Sequence, residues 1–308
     1  MGWAARGLGL KIDDALKEEQ TTLLYNLAAL IELRSNNPHA AGVMLDKSFA
    51  IDPNDPAALY YRALIRASTP DGDLAGAIAD LIKVRDRLPN NLEARLLLGE
   101  ILYRRGDAPQ AIREFGATRE RCPAERRAVL RLAELYINSA PPRWQQAERV
   151  VRETRELPGL IDDPELLNAE AIVLLNQGKA RAAEPLINQA AQKSPNSLAI
   201  TQTQIDVLLA LDRHEQVLQA VDNALKRAPD LFWLYSARAR AQLALRRTAD
   251  ATASYTRAIE LALESGGNQL AQPVVLQMAE RLGADVAARA LGDRMSDPGW
   301  KIVLTPLF

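Results

Sequence analysis

The chain has 308 residues, 48% of them hydrophobic and 25% charged, with a formal net charge of -1. That balance suits a folded soluble protein, and it leaves no global field to draw in nucleic acid or an anionic membrane. Cys122 is the single cysteine, which excludes an internal disulfide and a thiolate metal cluster.

Residues 1–15 lack the continuous apolar core of a signal peptide and read as an N-terminal tail. No window approaches 18 uninterrupted apolar residues, so no transmembrane segment is expected and the location reads as cytoplasmic. Of the 38 basic residues 8 are lysine, leaving 30 arginines. With so much alanine, this suggests a GC-rich bacterial coding sequence.

From residue 16 onward the chain repeats a spacing. A small residue is followed four positions later by a bulkier one and eight positions after that by proline. Ala41–Leu45–Pro53, Ala77–Leu81–Pro89, Ala111–Phe115–Pro123, Ala183–Ile187–Pro195 and Val217–Val221–Pro229 all carry it. Ala147–Val151 has its proline one place early at Pro158, and Ala251–Tyr255 has Leu263 in place of proline. The steps between anchors are 36, 34, 36, 36, 34 and 34 residues. A period near 34 describes helical hairpins, none able to bury its apolar face without a neighbour.

Each unit reads as two helices. In the third, Leu92 to Arg104 is followed by the turn Arg105-Gly106-Asp107 and then by Ala108 to Arg121. Gly106 can take positive φ to end the first helix, Asp107 can cap the second, and Pro123 stops it. Asn36-Asn37-Pro38, Gln177-Gly178-Lys179 and Asp212-Arg213 serve the other turns. The first helices carry their own small residue, Ala29, Ala63, Gly99, Ala133, Ala171 or Ala239. With Ala41, Ala77, Ala111, Ala147, Ala183 and Ala251 it lets facing backbones approach, while Phe115 and Tyr255 fill the space between hairpins.

This pattern resembles the tetratricopeptide repeat family over roughly Leu16 to Leu263. Gly99, Ala111, Phe115 and Pro123 of the third unit, and Ala239, Ala251, Tyr255 and Ala258 of the seventh, stand in family positions. The resemblance implies an all-α, right-handed superhelical α-solenoid. Its seven units run about 16–55, 56–91, 92–125, 126–163, 164–197, 198–231 and 232–265. Residues 266–308 form a C-terminal capping hairpin, from Gln272 to Leu282 and Ala284 to Arg294, and then an apolar tail from Trp300 to Phe308.

In that family the first helices line a concave groove. Residues three before, one after and four after the small position share one helix face. The candidate partner-binding residues so defined include Asn26, Tyr60, Leu64, Glu100, Tyr103, Glu134, Ile137, Asn168, Gln202, Asp206 and Arg240. The face is mixed and slightly acidic at Glu100, Glu134 and Asp206, which suits a peptide with apolar anchors and some basic character. Leu96, Glu100 and Leu130 stand where the family's clamp for an acidic C-terminal peptide needs basic or amide groups, so that specificity is disfavoured.

Catalytic chemistry finds no footing. His39 and His214 lie in turns, and no phosphate loop, nucleophile elbow or HExxH helix appears. Trp233, beside Phe232 and Tyr235, reads as inter-repeat core or as a ligand platform. The resulting expectation is a non-enzymatic protein–protein interaction scaffold, without metal or other cofactor, binding a protein or peptide and no nucleic acid. Two alternatives stay open. One is an adaptor segment of a larger bacterial assembly, such as envelope polysaccharide export. The other is self-assembly into a homo-oligomer through the C-terminal tail.

Overall fold

The computed structural model describes residues 21–68, 72–292, 294, 299, 300 and 304. The expected tail over 1–15, and residues 301–303 and 305–308 of the apolar tail, lie outside the described residues. Among the described residues every regular element is helical. In order these are α1 (residues 21–34), α2 (Pro38–Ile51), α3 (Pro56–Ala67), α4 (Leu74–Arg87), α5 (Leu92–Arg104), α6 (Ala108–Arg121), α7 (Arg126–Ile137) and α8 (Trp144–Arg155). They are followed by α9 (Pro164–Asn176), α10 (Ala180–Lys193), α11 (Leu198–Ala210), α12 (His214–Leu225), α13 (Phe232–Ala244), α14 (Thr248–Leu282) and α15 (Ala284–Leu291). The third hairpin, Leu92–Arg104 and Ala108–Arg121, has the bounds its turn residues dictate.

Two compact units divide the chain, Met1–Val150 and Val151–Phe308. In the first, each helix from α2 to α6 packs on the next. In the second the same holds from α9 to α15, and α9 also touches α11.

The caps explain the regularity. Asn37, Asp55, Asp73, Asn91, Asp107, Asp163 and Ser197 each precede a helix, and the side chain of each accepts from an amide in its first turn. That satisfies a donor the helix itself leaves orphaned. Five of the hairpin turns share one geometry. After α5, Gly106 donates to the Tyr103 carbonyl over 2.9 Å and Asp107 to that of Leu102 over 2.9 Å. The pairs Asn36–Asn37, Gly178–Lys179, Asp212–Arg213 and Arg246–Arg247 repeat it. All five turns put their first residue at positive φ, although only Gly106 and Gly178 are glycines.

Packing follows the small residues. Ala41, Ala77, Ala111, Ala147, Ala183, Val217 and Ala251 are fully buried, as are Ala29, Ala63, Ala171 and Ala239, and Ala133 nearly so. A Cβ on Gly99 would lie 2.7 Å from the Phe115 ring, so only glycine fits that crossing. Burying a side chain the size of leucine or phenylalanine contributes about 1.5–3 kcal/mol, and cores shared between successive hairpins hold Leu45 with Ala58, Ile187 with Ile200, and Val221 with Leu234.

Within α14 the helical backbone breaks at Gly266 and Gly267 alone. The chain resumes its helix sooner than the Ser265–Asn268 break suggests. At the C-terminus, Trp300 and Leu304 are buried in one core with Tyr255, Met278 and Leu291.

Candidate functional site

Three first helices of the first unit, α3, α5 and α7, carry candidate groove residues. Tyr60 and Leu64 of α3 are half-buried. Burial, with the Glu93 carboxylate as a second cause, pushes the Tyr60 phenol pKa above its usual value. Glu100 and Tyr103 of α5 meet Glu134 of α7 through Arg131. The Arg131 guanidinium donates to Glu100 over 2.7 Å and to Glu134 over 2.8 Å. The Tyr103 hydroxyl donates to the other Glu134 oxygen over 2.6 Å, and Arg131 lies 5.2 Å from the Tyr103 ring centre. The Glu134 bond is the main reason the Tyr103 pKa is raised. Hydrogen bonding to Glu100 raises that of Arg131, which stays cationic. The two carboxylates on this face therefore share one counter-charge. Ile137 is half-buried on the same helix.

Asn26 stands apart. It is 3% exposed, and its amide donates over 2.7 Å to the Asp55 carboxylate that caps α3. It joins the first hairpin to the start of the second.

In the second unit, Gln202 and Asp206 of α11 and Arg240 of α13 line one cleft of about 240 Å³. Phe232, Trp233, Ser236, Pro273, Val274 and Gln277 complete much of its wall. The Arg240 guanidinium lies 4.0 Å from Asp206. Burial raises the Asp206 pKa, and Arg240 opposes that rise. Ser236 donates to Gln277 over 2.7 Å. Trp233 both packs on the core of α11, α12 and α13 and borders this cleft. Asn168 is half-buried on α9, and its enclosed amide oxygen has no partner among the described residues.

Sequence reasoning overlooked several residues. Arg131 lies two before the small residue Ala133, off the rows that define the groove face; its i,i+3 spacing to Glu134 was the available signal. Pro273, Val274 and Gln277 come from beyond Leu263, where the repeat register fades. The buried carboxylates were also missed. Asp80 is held by Arg62 and Arg66, each at 2.7 Å, and Glu114 by Arg85 at 2.8 Å and Arg95 at 2.9 Å. Glu170 is held by Arg155 at 2.7 Å and Arg152 at 3.4 Å.

Among the described residues no group of three or more His, Cys, Asp or Glu side chains could hold a metal ion. None of their helices is long and apolar enough to cross a membrane.

The architecture is that of a helical-hairpin repeat protein. Residues 71–125 match the family model described as tetratricopeptide repeat. A comparison with curated protein sequences gives no match. Among solved structures, the chain is similar to a tetratricopeptide repeat protein from Parabacteroides merdae, with a TM-score of 0.66 and 14% identity over 83% of this chain and 99% of that one. The human IFIT1 dimer with m7Gppp-AAAA aligns with a TM-score of 0.58 and 12% identity, over 88% of this chain and 67% of that one. Yeast Tom70 aligns with a TM-score of 0.52 and 18% identity, over 94% of this chain and 61% of that one. At these identities the structures speak to the fold alone. The family model covers residues 71–125, and over the rest of the chain the likeness to tetratricopeptide repeat proteins is one of fold. Proteins of this kind generally mediate protein–protein interactions.

Proposed function

We propose that the chain is a non-catalytic scaffold that binds a polypeptide segment along its first-helix faces. Tyr60, Leu64, Tyr103 and Ile137 supply apolar contact in the first unit, and Glu100 and Glu134 tune its charge. In the second unit Gln202, Asp206 and Arg240 accept one anchoring side chain. The observation that carries this reading is the cleft at Asp206 and Arg240. Its volume of about 240 Å³ lies below the roughly 300–1,000 Å³ of small-molecule pockets and suits a side chain or two. Aromatic walls and a loosely paired acid and base offer both apolar burial and hydrogen bonding. The formal charge of -1 argues against nucleic acid as the ligand. Trp300 and Leu304 are committed to the chain's own core, which weighs against self-assembly through the tail.

The test is capture of partners by the purified chain from its own cell extract, compared with two variants. Tyr103→Ala with Glu100→Lys, and separately Trp233→Ala with Arg240→Glu, should each lose the captured polypeptide while keeping the helical circular dichroism of the parent. Capture unchanged in both variants rejects the first-helix faces as the binding surface.

A further inference from the structure

Asp206 and Arg240 are neighbours that do not bond. Elsewhere arginine closes on its carboxylate, as at Asp80 over 2.7 Å, Glu114 over 2.8 Å and Glu170 over 2.7 Å. In the second-unit cleft the Arg240 Nη1 to Asp206 Oδ1 distance is 4.0 Å, beyond hydrogen-bond reach. Neither side chain has a hydrogen-bond partner among the described residues. Both are half-buried. Burial raises the Asp206 pKa more than Arg240 lowers it, so the carboxylate gains from any donor brought to it.

The cleft therefore presents an acceptor and a donor side by side, and that pair selects among ligand groups. A guanidinium or an ammonium brings donors alone and sets a second cation against Arg240. A carboxylate brings acceptors alone and sets a second anion against Asp206. A backbone peptide carries both, but its trans geometry points N–H and C=O to opposite edges. One peptide unit cannot meet both partners.

A primary carboxamide can, because one N–H of its NH₂ group lies on the same edge as the C=O. Amide bond lengths put that nitrogen and oxygen about 2.3 Å apart. Two hydrogen bonds of about 2.9 Å, splayed slightly outward, carry this edge onto partners 4.0 Å apart. Phe232, Trp233 and Val274 give the methylene stem an apolar wall. Arg240 is the single cation among the described residues that line the cleft, which gives a phosphate-bearing ligand little to hold.

We infer that the cleft anchors an asparagine or glutamine side chain, whose carboxamide oxygen accepts from Arg240 while its nitrogen donates to Asp206. This rests on the scaffold reading above and names the chemistry of its anchor.

The probe is N-acetyl-glutamine methylamide, titrated into the full chain. The readout is the indole N–H resonance of Trp233, assigned with Trp233→Phe. The probe should shift that resonance saturably, with a dissociation constant at least tenfold below those of its glutamate and arginine counterparts. Arg240→Glu should move the preference to the arginine probe, and Asp206→Lys to the glutamate probe. A reversed preference also shows that the variant cleft is folded. No saturable shift with the glutamine probe, or equal affinity for all three, overturns the inference. Adenosine offers a donor–acceptor edge on an aromatic plate. Tighter binding of adenosine than of the glutamine probe assigns the cleft to a nucleobase and overturns the inference too. If the glutamine preference is absent while capture from cell extract still requires Trp233 and Arg240, the anchor assignment falls and the scaffold reading stands.

Discussion

The hydroxyl of Tyr103 donates to Glu134 over 2.6 Å, and that bond ties the first helix of one hairpin to the first helix of the next. It also gives the phenol a reason to keep its proton. Tyr60 and Tyr255 keep theirs chiefly through burial. All three are therefore shifted above the ordinary tyrosine value of about 10. Above that pH the folded chain binds more protons than the unfolded one, so stability falls as pH rises. The stabilisation is fully present below about pH 10 and is lost as pH climbs through the folded values. Phenolate absorbance in an alkaline titration should show a late-ionising class of tyrosines, and Tyr103→Phe should shrink it.

Asp80 is 3% exposed between Arg62 and Arg66, and Arg62 is held from its other side by the Phe49 ring, 4.2 Å from its centre. Removing the carboxylate takes away the ion pair of Arg62 and leaves Arg66 with the looser Asp73 contact at 3.5 Å. Both arginines are partly exposed, so Asp80→Ala should destabilise by about 1–3 kcal/mol. Repeat arrays open unit by unit, so the loss should be read as faster amide exchange in α3 and α4, with the global urea midpoint as a second measure.

Gly99→Ala drives a methyl into the Phe115 ring. The expected cost is about 1–3 kcal/mol of overpacking. Phe115→Leu makes room at the same crossing, so the double variant should lose less than the sum of the two singles. Additive losses in thermal unfolding would contradict the contact.

Arg246 sits at φ 60 where Gly106 and Gly178 do the same work. The left-handed conformation costs a side-chain-bearing residue about 1–2 kcal/mol, part of which glycine returns as unfolded-state entropy. Arg246→Gly should raise stability by about 0.5–1 kcal/mol, visible as a higher melting temperature.

The hairpin turns were the legible part of this protein. Asp107 and its equivalents announce helix starts, and Gly106 announces a stop, because capping is local chemistry that neighbours cannot override. The ionic interior was not legible. At Asp80 and Glu114, three residues past each anchor, a carboxylate reads as solvent-facing until arginines from neighbouring helices fold over it. Asn26 matched the groove offset, but the approach of Asp55 enclosed it. Gln277 reaches the second-unit cleft from a segment whose sequence no longer keeps the repeat, so spacing could not place it.

The most direct test of the scaffold reading is site-specific photocrosslinking in the producing cell. A benzoylphenylalanine replaces Tyr60 or Gln202 on the first-helix faces, or Lys83, exposed on the second helix α4, as the comparison. The account predicts polypeptide adducts from Tyr60 and Gln202 and none from Lys83. Adducts from Lys83 alone, or none from either groove position, would contradict it.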